Sequence, residues 1–119
     1  GILMHISSKV KVYLALNPTD MRKSINGLSI LVEDQLDLNP FSGHLFAFVN
    51  RARTIVKVLY YDRNGFALWM KRLEKHNFKW PCSESEVMEI GQRELSWLLE
   101  GLEVRQKYAH ERLEYSAIF

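Results

Sequence analysis

The residues of this chain best suited to chemistry are its cations. Arg51 and Arg53 sit in Asn50-Arg51-Ala52-Arg53, Arg63 in Asp62-Arg63-Asn64-Gly65, and Lys71, Arg72 and Lys75 in Lys71-Arg72-Leu73-Glu74-Lys75, with Lys79 beside Trp80. Arg22-Lys23 is a further pair nearer the start. Lys and Arg neutralise phosphate, and the two-pronged guanidinium can also read a guanine edge. Between residues 44 and 81 eight Lys/Arg face only Asp62 and Glu74, although the whole chain carries a formal charge of only +2. A local excess of that size can attract an anionic polymer. The nine residues Arg22, Lys23, Arg51, Arg53, Arg63, Lys71, Arg72, Lys75 and Lys79 are therefore the candidate DNA-binding set. The competing reading is a solvated surface evened out in space, because residues 83–119 hold eight Asp/Glu against four Lys/Arg.

Other chemistries fit the residues less well. A hydrolytic or strand-transfer centre needs paired carboxylates that hold metal ions about 4 Å apart. Asp20 is better explained as a helix cap, Asp62 as a turn former and Glu74 as an ion-pair partner of its basic neighbours. The four histidines fall at no helical metal spacing, and there is no HExxH, CxxC or Gly-rich phosphate loop. Neither a metal nor a cofactor is expected, and the chain does not read as an enzyme. Cys82 is alone, so a disulfide framework is excluded. It precedes a helix start, where a thiolate can be stabilised, yet no histidine is placed beside it by the sequence. Tyr60, Tyr61, Trp69, Phe78 and Trp80 near the basic stretch could stack on bases; Tyr60 and Trp69 read rather as core, and Trp80, at an element boundary, fits either role.

These side chains need a scaffold. Lys9 to Leu16 alternates, with Val10, Val12, Leu14 and Leu16 on one side, as a half-buried strand does. Asn17-Pro18-Thr19-Asp20 breaks it, and Thr19 or Asp20 is placed to cap a helix carrying Met21, Ile25, Leu28, Val32 and Leu36 as one apolar stripe. Arg22 and Lys23 would open that helix, where the dipole does not favour cations. Leu45–Val49, Ile55–Tyr61 and Phe66–Leu73 read as an antiparallel meander joined by turns at residues 50–54 and 62–65, with Asn64-Gly65 supplying positive φ. With these turns Phe46, Phe48, Val56, Val58, Tyr60 and Trp69 share one face, and Leu45, Val49, Ile55, Leu59, Phe66, Leu68 and Met70 the other. Both faces are apolar and need cover from helices or a partner.

Trp80-Pro81 would end the sheet region. Ser83-x-x-Glu86 fits a capping box, and Val87, Ile90, Leu95, Leu98, Leu99 and Leu102 then form a second helical stripe closed by Gly101. The alternation of residues 113–118 suggests a short last strand. The predicted fold class is thus α+β: a small antiparallel sheet, made of an N-terminal strand and a three-stranded meander, with two main helices. The 119 residues, 47% hydrophobic and 25% charged, suit one globular domain, with residues 103–119 as its tail. No apolar run approaches the roughly 20 residues of a membrane span, no secretory segment opens the chain, and Gly1-Ile2-Leu3 before Met4 read as a cloning scar.

A set of ordered motifs adds to this reading. They are Thr19-Asp20-Met21-Arg22-Lys23-Ser24-Ile25-Asn26-Gly27-Leu28, Asn39-Pro40-Phe41-Ser42-Gly43, Phe46-Ala47-Phe48-Val49-Asn50-Arg51, and the run from Lys57 to Phe66. Lys71-Arg72-Leu73-Glu74, Phe78-Lys79-Trp80-Pro81 and Leu98-Leu99-Glu100-Gly101 complete them. Over roughly Val10 to Leu102 the chain resembles the small accessory proteins, called TnpB, of the insertion-sequence 66 family of bacterial mobile elements. It is not similar to the RNA-guided nuclease of the same name. The resemblance implies a bacterial, cytoplasmic, non-catalytic protein that assists DNA transposition beside a large transposase, the partner thought to carry the acidic catalytic triad. It brings no catalytic residues to carry over. Two functions follow as expectations: binding of element-end DNA through the basic hairpin and strand end, or service as a protein–protein adaptor for the transposase without DNA binding of its own.

Overall fold

The computed structural model describes residues 7–102. In chain order the elements are β1 (Val12–Ala15), α1 (Ile25–Asp34), β2 (Leu45–Val49), β3 (Ile55–Asp62), β4 (Gly65–Arg72), β5 (Val87–Ile90) and α2 (Gln92–Leu99). The strands form one sheet in the order β4-β3-β2-β1-β5. The fold is α+β, and the β2-β3-β4 meander is present within one residue of its expected bounds. The sheet is mixed, however. β1 runs parallel to β2, so α1 must carry the chain back across the sheet between them.

The parity of β2 differs from the expectation. Phe46 pairs Leu59 and Val49 pairs Val56, so Phe46 and Phe48 share a face with Leu59, and Leu45 and Val49 share the other with Val56 and Val58. The cause is Asn50. Its Oδ1 accepts the backbone N–H groups of Thr54 and Ile55, its Nδ2 donates to Thr54 Oγ1, and its own N–H donates to the Ile55 carbonyl. Asn50 thus belongs to the ladder, leaving a four-residue loop. One residue fewer in the loop moves every β2 side chain to the opposite face.

Two boundaries also move. The first helix starts at Ile25, not at Met21. Asp20 accepts the Arg22 N–H through Oδ1 and the Lys23 N–H through its carbonyl, closing a turn rather than capping a helix. The Lys57 ammonium takes the Met21 and Lys23 carbonyls at 2.8 Å each, and a helix through this stretch would use those same acceptors. Arg22 and Lys23 therefore precede α1. At the other boundary, Val87–Ile90 is not helical: it pairs antiparallel with β1, so the sheet continues past Trp80-Pro81. Ser83 Oγ accepts the Ser85 N–H in a local turn, and Gly91 is the residue that opens α2. Gly101 closes α2 as expected. With φ +90 it sits where L side chains are strained, and its N–H bonds the Leu98 carbonyl while that of Leu102 bonds Trp97, the double closure of a Schellman motif. In the β3–β4 turn it is Arg63 that takes positive φ, at 51°, and not Gly65. The strand expected at residues 113–118 lies outside the described residues.

Each face of the sheet has its own core. On one, Leu95, Leu98 and Leu99 of α2, together with Phe78 and Trp80 of the connecting arm, cover Val12, Leu14, Leu45, Ala47, Val56 and Val58. On the other, Leu28, Leu31 and Val32 of α1 cover Phe46, Phe48 and Leu59. Leu28, Leu95 and Leu98 are completely enclosed, and each contributes about 2 kcal/mol of transfer energy. These two covers satisfy the two apolar faces.

Candidate nucleic-acid interface

The topology decides which cations meet. One end of the sheet carries the C-terminal ends of β1, β2 and β4 and the N-terminal ends of β3 and β5. The β2–β3 loop with Arg51 and Arg53 lies there. So does the chain leaving β4, since the Leu73 N–H bonds the Thr54 carbonyl and that of Phe78 bonds Arg53. Arg72, Lys75 and Lys79 are on this segment. The Arg22-Lys23 turn arrives at the same end, held through the Thr19 N–H on the Val49 carbonyl and through Lys57. Arg63 does not join them: it lies at the opposite end of β3, seven residue steps away, roughly 23 Å at strand rise.

The gathered cations are in different states. Arg53 is half-buried, and its guanidinium donates to the Trp80 carbonyl at 3.3 Å and to Cys82 Sγ at 3.4 Å, tying loop to arm. Its φ of +61 is a left-handed conformation that costs a non-glycine residue stability, and those bonds hold it there. Lys71 is also half-buried and donates to the Leu99 carbonyl at 2.9 Å, satisfying the C-terminal end of α2. Arg72 pairs with Glu74 at 3.0 Å. Arg22 forks onto Asp20, with Nη2 at 2.7 Å from Oδ2, while its side chain stays 91% exposed. The side-chain and backbone hydrogen bonds from Arg22 hold the Asp20 carboxyl down at about 2, and Asp20 in turn raises the arginine. Arg51, Lys23, Lys75 and Lys79 are exposed and enter no ion pair among the described residues.

The aromatic side chains divide clearly. Trp80 is buried and donates Nε1–H to the Ala15 carbonyl at 3.0 Å, so its indole is a core strut rather than a stacking platform. Phe78 is buried beside it, and Tyr60 and Trp69 pack against the same core. Phe41, Tyr61 and Phe66 form an aromatic triad with centroids 5.1–5.2 Å apart at the far end of β3 and β4, away from the cations. Cys82 is exposed, with Arg53 as its neighbour. Among the described residues no three His, Cys, Asp or Glu side chains gather as a metal site would require. No helix among them is long and apolar enough to cross a membrane. The residue missed in the sequence is Lys57. A lysine between Val56 and Val58 on an apolar face was its signal, since such an ammonium has to find acceptors.

Comparison with known proteins gives these residues a context. The uncharacterized protein y4hO of Sinorhizobium fredii is 38% identical over 96 residues, covering 81% of this chain and 84% of the relative. The uncharacterized protein y4jC of the same organism is 30% identical over 97 residues, covering 82% and 83%. No solved structure matches. The family described as IS66 Orf2 like protein matches residues 10–109, which include every strand and helix among the described residues and all nine candidate cations. On that match the chain belongs to the IS66 Orf2-like family, whose role is accessory to transposition.

Proposed function

We propose that this protein is a non-catalytic accessory factor that binds the DNA of its element through the basic end of the sheet. The observation that carries the reading is the convergence there of Arg22, Lys23, Arg51, Arg53, Arg72, Lys75 and Lys79 from three separate stretches of chain. Arg51, Lys75, Lys79 and Lys23 are the phosphate contacts, with Arg72 beside them. Arg53 and Lys71 act by holding the surface in shape, and Arg22 is largely neutralised by Asp20.

Counterion release provides the test. Replacing Arg51, Lys75 and Lys79 together by alanine should weaken binding to all duplex sequences and flatten the slope of log affinity against log salt by about 2.7, at roughly 0.9 per lost contact. Arg53→Ala should lower the melting temperature instead, with little change in slope. Bound DNA should stay intact with magnesium or manganese. An unchanged slope in the folded triple variant would remove this end from the interface. The second reading, an adaptor for the large transposase, is favoured by the exposed apolar side chains of Phe41 and Met70. Retention on element-end DNA only when the transposase is present would put it ahead.

A further inference from the structure

β4 is the last strand of the sheet, and none of the described residues pairs with its outer edge. The Leu73 N–H bonds the Thr54 carbonyl, so strand alternation turns the N–H and C=O groups of residues 65, 67, 69 and 71 toward β3. Those of Phe66, Leu68, Met70 and Arg72 then point outward. Natural edges are usually guarded by a proline, a bulge, a charge in mid-strand or a very short strand. β4 has none of these. It is eight residues long, contains no proline, pairs with β3 without a break from Arg72 to Gly65, and carries charge only at Lys71 and Arg72. Its side chains are half-buried or exposed along its whole length, with Met70 58% exposed.

We propose that this edge joins two copies of the chain, β4 against β4 in antiparallel fashion about a two-fold axis at Leu68, so that the sheet continues from one subunit into the other. The strand is complementary to itself in this register. Leu68 meets the partner's Leu68 and Phe66 meets the partner's Met70 on the α1 side, while Ala67 meets the partner's Trp69 on the other. The outward backbone groups of Phe66, Leu68 and Met70 find mates in about six hydrogen bonds. Apolar matching selects the register. Centred on Leu68, each apolar residue from Phe66 to Met70 faces an apolar residue of the partner subunit and Arg72 faces the partner's Asn64, while Glu74, past the end of β4, comes opposite the partner's Asp62. A slide of two residues in one direction sets Arg72 opposite the partner's Phe66 and Lys75 opposite the partner's Arg63, and in the other direction Met70 opposite the partner's Asn64 and Lys71 opposite the partner's Arg63. Like charges facing across a strand pair are disfavoured, and in the Leu68-centred register the one such pair, Glu74 with the partner's Asp62, lies beyond β4 with Arg72 3.0 Å from Glu74. The pairing also brings the partner's Arg63, remote from the basic end of its own subunit, to the basic end of this one.

The whole chain without DNA tests the pairing independently of the binding proposal. Sedimentation should show a reversible dimer of the 14.0 kDa chain, with a Kd on the order of micromolar for so small an edge. Met70→Pro removes an outward N–H that β3 does not use, and should give a monomer with unchanged circular dichroism. In a Cys82→Ser background, Leu68→Cys should cross-link to itself on mild oxidation, since residues opposite each other in a hydrogen-bonded pair stand about 5.5 Å apart at Cα. Met70→Cys should not, being offset from its own copy by four residues. If Met70→Pro does not fold, the wild-type amides of Phe66, Leu68 and Met70 should still exchange more slowly as concentration rises. A wild-type monomer at ~200 μM, or self-cross-linking of Met70→Cys equal to that of Leu68→Cys, would overturn the proposal. So would an edge that becomes protected only when DNA or transposase is added.

Discussion

Asp20 and Arg22 are both exposed, yet they are the most strongly perturbed titrating pair among the described residues, because the guanidinium fork and the Arg22 N–H all fall on one carboxylate. A carboxyl whose folded value is depressed contributes stability above its unfolded value, near pH 4, and loses it as the pH falls toward the folded value, here about 2. Exposure and salt screening keep that contribution small. The expected observation is an Asp20 titration midpoint near 2 by NMR, returning toward the ordinary carboxylate range in Arg22→Ala. A midpoint unchanged in that variant would mean the fork does not persist in solution. The pair also bears on binding. An arginine already neutralised by a carboxylate has less charge to offer phosphate than Arg51 has. Arg22→Ala should therefore change the salt slope less than Arg51→Ala.

At the scale of elements, α2 is a short helix whose C-terminal end is held three ways: by Gly101 in positive φ, by the paired closure onto Trp97 and Leu98, and by Lys71 reaching from β4 to the Leu99 carbonyl. Gly101→Ala should cost about 1 kcal/mol, from forcing a Cβ into the left-handed region. Lys71→Met should cost about 1–2 kcal/mol through the lost charged hydrogen bond, and should leave the salt slope of DNA binding unchanged. Urea unfolding and binding titrations separate these outcomes, and a flattened slope in folded Lys71→Met would return that lysine to the phosphate-contacting set. The Gly101 stop and the β2-β3-β4 meander were legible in the sequence because their signals are local: an apolar run, a polar turn, a glycine after a stripe. β5 was not. Val87 and Ile90, three apart behind Ser83-x-x-Glu86, fit the first turn of a helix as well as they fit a strand. What decides is pairing with Val12–Ala15, about seventy residues away, and no local pattern records it. The same holds for Lys71 and Arg53. Their charge was visible, but the carbonyls that engage them come from segments brought near only by the fold.

At the scale of the whole fold, the described residues are electrically polar along the strands. α1 runs from the basic end toward the opposite one, and α2 runs the other way, from Gly91 after β5 to Leu99 beside Lys71. Sorting the described residues by these directions leaves nine Lys/Arg and five carboxylates toward the basic end, and four Lys/Arg and six carboxylates toward the other, which carries Glu33, Asp34, Asp37, Asp62, Glu89 and Glu94. Residues 7–102, nearly neutral in sum, therefore present opposite signs at the two ends of the sheet. Such a field orients an approaching polyanion before any contact forms, and its influence on association rate falls steeply with ionic strength. Reversing two charges at the basic end, Arg51→Glu with Lys79→Glu, should slow association with duplex DNA by about tenfold at low salt and much less at high salt. Reversing two at the other end, Lys9→Glu with Lys11→Glu, changes the net charge by the same amount and should slow it far less, because those residues sit at the start of β1, where Lys11 already lies 4.0 Å from Glu89. Stopped-flow measurements at two salt concentrations make the comparison. Equal slowing in the two double variants would mean that DNA responds to net charge alone, and the basic end would lose its standing as the approach face.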